Sequence, residues 1–126
     1  QAEYCLPTLD AGFSAFMEDL SASGLLDETM YGEFGRTPKI NKNAGRDHWG
    51  VCQSAVLAGG GIQGGQVYGT SDRDSAYPTS KPVSPEDLPA TIFHALGINP
   101  HVPLLNNQGQ PVSLVNNGHV VHELFT

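Results

Sequence analysis

Cysteine, tryptophan, methionine and basic residues are all scarce in this chain. Its 126 residues include 2 Cys, 1 Trp, 2 Met and 6 Lys plus Arg against 13 Asp plus Glu. Cys5 and Cys52 allow one internal bridge at most, too few to read a redox compartment from, and their pairing stays open. No run approaches the roughly 20 apolar residues of a membrane-spanning helix, so no membrane span is expected. No charged-then-apolar leader opens the chain, which starts at Gln1 without an initiator Met, as a processed product or internal fragment would. A formal charge of −7 repels polyanions, which argues against nucleic acid as a partner. Only 15% of residues are charged, while 15 Gly and 9 Pro carry much of the polar balance. That composition argues against a coiled coil and against charge-driven disorder. The length suits one domain or a piece of one, and no repeat or linker divides it.

Hydrophobic spacing supplies the first element. Leu9, Phe13, Phe16, Met17, Leu20 and Leu25 recur three and four residues apart, which predicts an amphipathic helix over 9–26 with Gly24 near its end and Asp27 and Glu28 leading out. Thr29-Met30-Tyr31 then allows only a clipped strand. Residues 35–50 read as an extended polar loop, and 51–58 as a small apolar strand containing a buried structural Cys52. The glycines of 59–65 suggest a tight hairpin into a second strand at 66–68, and 70–83 returns to loop. Ser84-Pro85-Glu86-Asp87 is a helix start: Ser N-cap, Pro in the first turn, acids facing the positive end of the dipole. Leu88, Ile92, Phe93 and Leu96 form its expected buried stripe, and Gly97 closes it. From Asn99 onward the chain is rich in Pro, Asn and Gly, and the short apolar alternations at 112–114 and 120–121 predict short edge strands or irregular packing.

Chemistry concentrates between the first two strands. Arg36, Lys39, Lys42 and Arg46 fall within a stretch that contains no acid, a local cationic patch on an acidic protein. Arginine suits bidentate binding of phosphate, sulfate or carboxylate, and lysine adds point charge. The same residues could instead form a solvated face, or pair with Glu33 or Asp47. Glu33, Asp47 and His48 offer hard oxygen and imidazole donors for a divalent cation: zinc, manganese, magnesium or calcium. Adjacent Asp and His can equally do no more than hold a turn. The glycines of 59–65 lack a following Gly-Lys-Ser/Thr, so they do not make a phosphate loop. Asp72 and Asp74 fit a turn better than a cation site. His94, His101, His119 and His122 carry no persuasive spacing.

Four motifs in order, spread over nearly the whole chain, carry a resemblance. They are Gly-Glu-Phe-Gly-Arg-Thr-Pro at 32–38, Gly-Arg-Asp-His-Trp at 45–49, Leu-Ala-Gly-Gly-Gly-Ile at 57–62 and the Ser84–Leu88 helix start. Together they closely resemble the C-terminal part of the bacterial family known as domain of unknown function 1501. That family looks like a branch of the alkaline phosphatase and sulfatase superfamily. The resemblance implies an α/β fold, here a partial, loop-rich sheet with flanking helices and a divalent-metal site at the strand ends. It puts Glu33-Phe34 where the superfamily commonly ends a strand in Asp-His, and His48 where a later ligand falls. Phe34 replaces an expected His, which puts a two-metal site in doubt. The superfamily's Ser, Thr or modified Cys nucleophile would lie upstream. Residues 1–126 are therefore expected to be a single C-terminal fragment of a larger sulfatase-like domain.

Two functions follow as expectations. One is a metal-dependent hydrolase of phosphate or sulfate esters, inactive as this piece alone, with Glu33, Asp47 and His48 on the metal and the four basic residues on an anionic ester substrate. The other is a non-catalytic relative that binds or scaffolds. Either way, the upstream part of the parent chain or a partner would cover the open sheet. The family's export signals imply a periplasmic or extracellular setting.

Overall fold

Helical propensity reaches further toward the N-terminus than the apolar stripe does. In the computed structural model, which describes residues 2–23 and 29–125, helix α1 spans Ala2–Ser23 and begins well ahead of Leu9. Pro7 lies inside it, where the missing N–H removes one early helical bond. Phe13, Met17 and Leu20 are half-buried, and Phe16 stays exposed. Gly24, Leu25, Asp27 and Glu28 lie outside the described residues, as do the side chains of Cys5, Leu9, Glu33 and Phe34.

The strand expected to be clipped is full length. Strands β1 (Thr29–Arg36) and β2 (His48–Ala58) pair antiparallel from Thr29 opposite Ala58 to Phe34 opposite Gln53. The register then jumps, so that Gly35 faces Trp49 and Arg36 faces His48. Gly50, Val51 and Cys52 bulge out at the jump, and a Cβ on Gly35 would collide with the Cys52 carbonyl oxygen. A bulge of this depth needs a glycine beneath it. Pairing across that jump extends β1 to Arg36 and starts β2 at His48, so the loop is 37–47 and shorter than its polarity suggested. Cys52 is half-buried with a free thiol, not fully buried.

No strand forms at 66–68, and the chain around it is tied to the tail. Gln63 N and Gln66 Nε2 both donate to the Leu124 carbonyl, at 2.8 and 3.0 Å, and Ile62 bridges Phe125. Within 70–83 a small hairpin forms instead, β3 (Thr70–Ser71) against β4 (Pro78–Ser80). Its turn is built on Asp72, whose Oδ1 accepts the Ala76 N–H at 2.7 Å.

Helix α2 spans Asp87–Ala95. Ser84 and Asp87 satisfy each other: Asp87 N donates to Ser84 Oγ at 3.1 Å and Ser84 N donates to Asp87 Oδ2 at 2.8 Å. This is the capping-box exchange, with Asp in the acidic position and one turn before regular helix begins. At the far end Gly97 N donates to His94 O and Ile98 N to Phe93 O, with Gly97 at φ +74°. That pair of bonds is a Schellman closure, and its left-handed residue favours glycine. The expected stripe is only half-buried at Leu88, Ile92 and Phe93, and Leu96 is exposed. The fully buried residues of α2 are Ala90 and Thr91, since the tail covers that side. Thr91 Oγ1 donates to Asp87 O at 2.7 Å and accepts Val121 N at 3.1 Å.

The tail holds a second small hairpin, β5 (Leu104–Leu105) with β6 (Pro111–Val112), and a C-terminal 3-10 turn at His122–Leu124. Of the two outcomes expected for the tail, an edge strand appears at Val112 as part of β6, and 113–114 and 120–121 pack irregularly, with the Val121 N–H held by Thr91 on α2. The protein is mixed α/β, and the described strands form three separate antiparallel pairs. Its buried residues include Ala76, Ala90, Val115 and Val121. No helix among the described residues is long and apolar enough to cross a membrane.

Candidate functional site

The loop end of the β1–β2 ribbon gathers most of the residues singled out by chemistry. Arg36 and His48 are directly opposed across the two strands, so their side chains leave the same face with Cβ atoms about 4.5–5.5 Å apart. Both are exposed. Trp49, next along β2, therefore points to the other face. There its Nε1 donates to Ala76 O at 2.7 Å and its ring meets Tyr77 edge-on at 6.1 Å.

Between the strands the loop is tied by its own polar groups. Thr37 N donates to Asp47 O at 2.9 Å, and Asp47 N to Thr37 Oγ1 at 3.1 Å. Arg46 Nη1 donates to the carbonyls of Thr37 and Pro38, at 2.7 and 2.8 Å. Arg46 is thus a staple across the loop base. Asn41, which the sequence reading passed over, is the loop's hub. Its Oδ1 accepts Asn43 N and Gly45 N, and its Nδ2 donates to Asp47 Oδ1 at 2.9 Å. The signal was present as Asn-x-Asn-x-Gly, an Asx turn over 41–45. Lys39 and Lys42 are exposed on this loop.

Asp47 and His48 are adjacent at the start of β2, whereas the Glu33 side chain is outside the described residues. Among those described, no group of three or more His, Cys, Asp or Glu could hold a metal ion. The two donors fit a divalent cation chemically, and the Asn41 bond to Asp47 is the kind of support that orients a ligating carboxylate.

A second polar centre lies at the α2 N-terminus. His119 N donates to Asp87 Oδ1 at 2.8 Å, and this bond, with those from Ser84, holds the Asp87 carboxyl below its usual pKa against the opposing effect of partial burial. Tyr68 shifts the other way. Partial burial raises its hydroxyl first, and the nearby Glu123 carboxylate, which accepts its O–H at 3.4 Å, adds to that.

The fold and site together define a mixed α/β protein with a stapled basic loop at the end of an antiparallel ribbon. The chain belongs to the family described as Protein of unknown function (DUF1501), which matches residues 1–125. No curated protein and no solved structure matches it.

Proposed function

We propose that this chain is the C-terminal part of a metal-dependent phosphate or sulfate ester hydrolase related to the alkaline phosphatase and sulfatase superfamily. The observation that carries the reading is the cross-strand pair of Arg36 and His48, with Asp47 beside it at the end of a stapled basic loop. Glu33, Asp47 and His48 would hold one divalent ion, which when bound supplies positive charge to the ester oxygen. Arg36 would grip two anion oxygens through its planar fork, and Lys39 and Lys42 would raise the local anion concentration. Arg46 would position these groups by fixing the loop base, its charge staying beneath the anion. Such fixed charges act where negative charge develops in the transition state. The nucleophile would come from the upstream part of the parent, which would also cover the ribbon, and a periplasmic or extracellular setting goes with this reading.

The test is metal content and zinc or manganese affinity of the chain, without chelator, before and after His48→Ala. Stoichiometric metal that the substitution removes supports the hydrolase. Equal metal content in the two proteins, or none in either, removes His48 from the ligand set and leaves a binding or scaffold role ahead.

A further inference from the structure

We propose that Asn117-Gly118 is a self-modification site, where spontaneous deamidation turns Asn117 into isoaspartate and releases the strap of residues 118–121 that lies over helix α2. Asn117 is the one asparagine of the chain that is followed by glycine. It is exposed and held at φ +58°, while Gly118 is buried. Among the described residues neither the Asn117 side-chain amide nor the Gly118 N–H has a hydrogen-bond partner. Both reacting groups are therefore unengaged. By contrast, the side-chain oxygens of Asn41, Asn99 and Asn106 accept backbone N–H groups. Asn43, Asn107 and Asn116 precede Ala44, Gln108 and Asn117, whose side chains shield the attacking nitrogen as glycine does not.

The chemistry needs only the chain and water. The Gly118 nitrogen, losing its proton to hydroxide, attacks the side-chain carbonyl carbon of Asn117. A C–N bond forms there, the bond from that carbon to Nδ2 breaks, ammonia leaves and a succinimide remains. Water then opens the ring: attack at the backbone carbonyl leaves isoaspartate, with the main chain routed through the side chain, and attack at the other carbonyl leaves aspartate. Ring closure turns the peptide plane between Asn117 and Gly118. Gly118 is wedged against the Glu86 carbonyl, so the reaction proceeds from an opened strap. Isoaspartate then adds a carbon to the main chain at a place with no room for a Cβ. The strap does not reseat, and the bonds from His119 N to Asp87 Oδ1 and from Val121 N to Thr91 Oγ1 are lost.

The experiment ages the whole chain in warm, mildly alkaline buffer. Peptide mapping, with enzymatic methylation to mark isoaspartate, should place the modification at Asn117 ahead of every other asparagine, at a rate that rises with pH. In the aged protein the His119 and Val121 amides should lose their protection from exchange. Asn117→Gly keeps the positive φ and removes the amide, so it should retain that protection on ageing. Asp87→Asn loosens the strap and should speed the modification on the order of tenfold. Modification no faster at Asn117 than at the other asparagines, unchanged protection in the modified chain, or an unchanged rate in Asp87→Asn would overturn the proposal.

Discussion

The backbone N–H of His119 reaches across 32 residues of sequence to Asp87 Oδ1, and the His119 ring Nδ1 lies 3.6 Å from the same oxygen. The two contacts differ in weight. The His119 side chain is 87% exposed, so solvent screens the ring's charge and its contribution is small. The amide bond is directional and ends on a carboxylate that also caps α2, so one side chain organises both the helix start and the strap that covers it.

Asp87→Asn should therefore destabilise the protein by about 1–2 kcal/mol, read from urea unfolding, because the cap and the strap lose a charged acceptor together. The pH dependence has a definite sign. Bonds from His119 and Ser84 depress the Asp87 pKa, so its contribution is complete above the unfolded carboxyl value of about 3.9 and is lost as pH falls through the lower folded value. A stability profile below about pH 4 should be flatter in Asp87→Asn than in the parent. An equally steep acid limb in both would show that Asp87 is not the group responsible.

Gly118 is the residue that lets the strap come this close. A Cβ there would run into the Glu86 carbonyl oxygen and the Val115 side chain. The obstacle includes main chain at the head of α2, which gives way poorly. Gly118→Ala should cost about 1–3 kcal/mol, in the range of overpacked sites. Gly64→Ala, where the same group meets open space, is the comparison, and similar midpoints for the two variants would refute the crowding argument.

Local chemistry was legible in the sequence, and pairing between distant segments was not. Ser84, Asp87 and Gly97 announced the boundaries of α2 because capping uses neighbours within a turn. The Asp72 turn was readable for the same reason. The strand at 29–36 was underestimated because Gly32 and Gly35 dilute its composition, whereas its length comes from pairing with 48–58. At 66–68 the composition suited a strand, but among the described residues no strand pairs with it, and the neighbouring Gln63 N and the Gln66 side chain bond to Leu124, far along the chain. In the site, motif order brought out Arg36, Asp47 and His48. What it missed was that Arg46 and Asn41 shape the loop, since the carbonyls that Arg46 serves carry no side-chain signature.

That division of labour predicts opposite phenotypes for the two arginines. Arg46→Ala removes donation to the Thr37 and Pro38 carbonyls and should speed amide exchange across 37–47 on the order of tenfold, an opening change of about 1.4 kcal/mol. Arg36→Ala should leave that exchange unchanged and lower affinity for inorganic sulfate or phosphate. Lowered anion affinity in both, with exchange unaffected in either, would place Arg46 among the anion ligands and not in the loop frame.

Trp49 links the ribbon to the β3–β4 hairpin, and it is the chain's single tryptophan. Its Nε1 bond to Ala76 O at 2.7 Å is a direct polar tie between them, backed by the edge contact with Tyr77. Trp49→Phe keeps the aromatic contact but strands the Ala76 carbonyl, whose own residue is buried, so a loss of about 1–2 kcal/mol is expected. Tyr77→Leu keeps the bond and removes only the ring edge, worth about 0.5–1.5 kcal/mol. Because the tie joins β2 to the hairpin behind the Arg36 and His48 face, loosening it should also weaken anion binding without touching a cationic group. A Trp49→Phe protein of lowered stability but unaltered sulfate affinity would show that the two faces of the ribbon are independent.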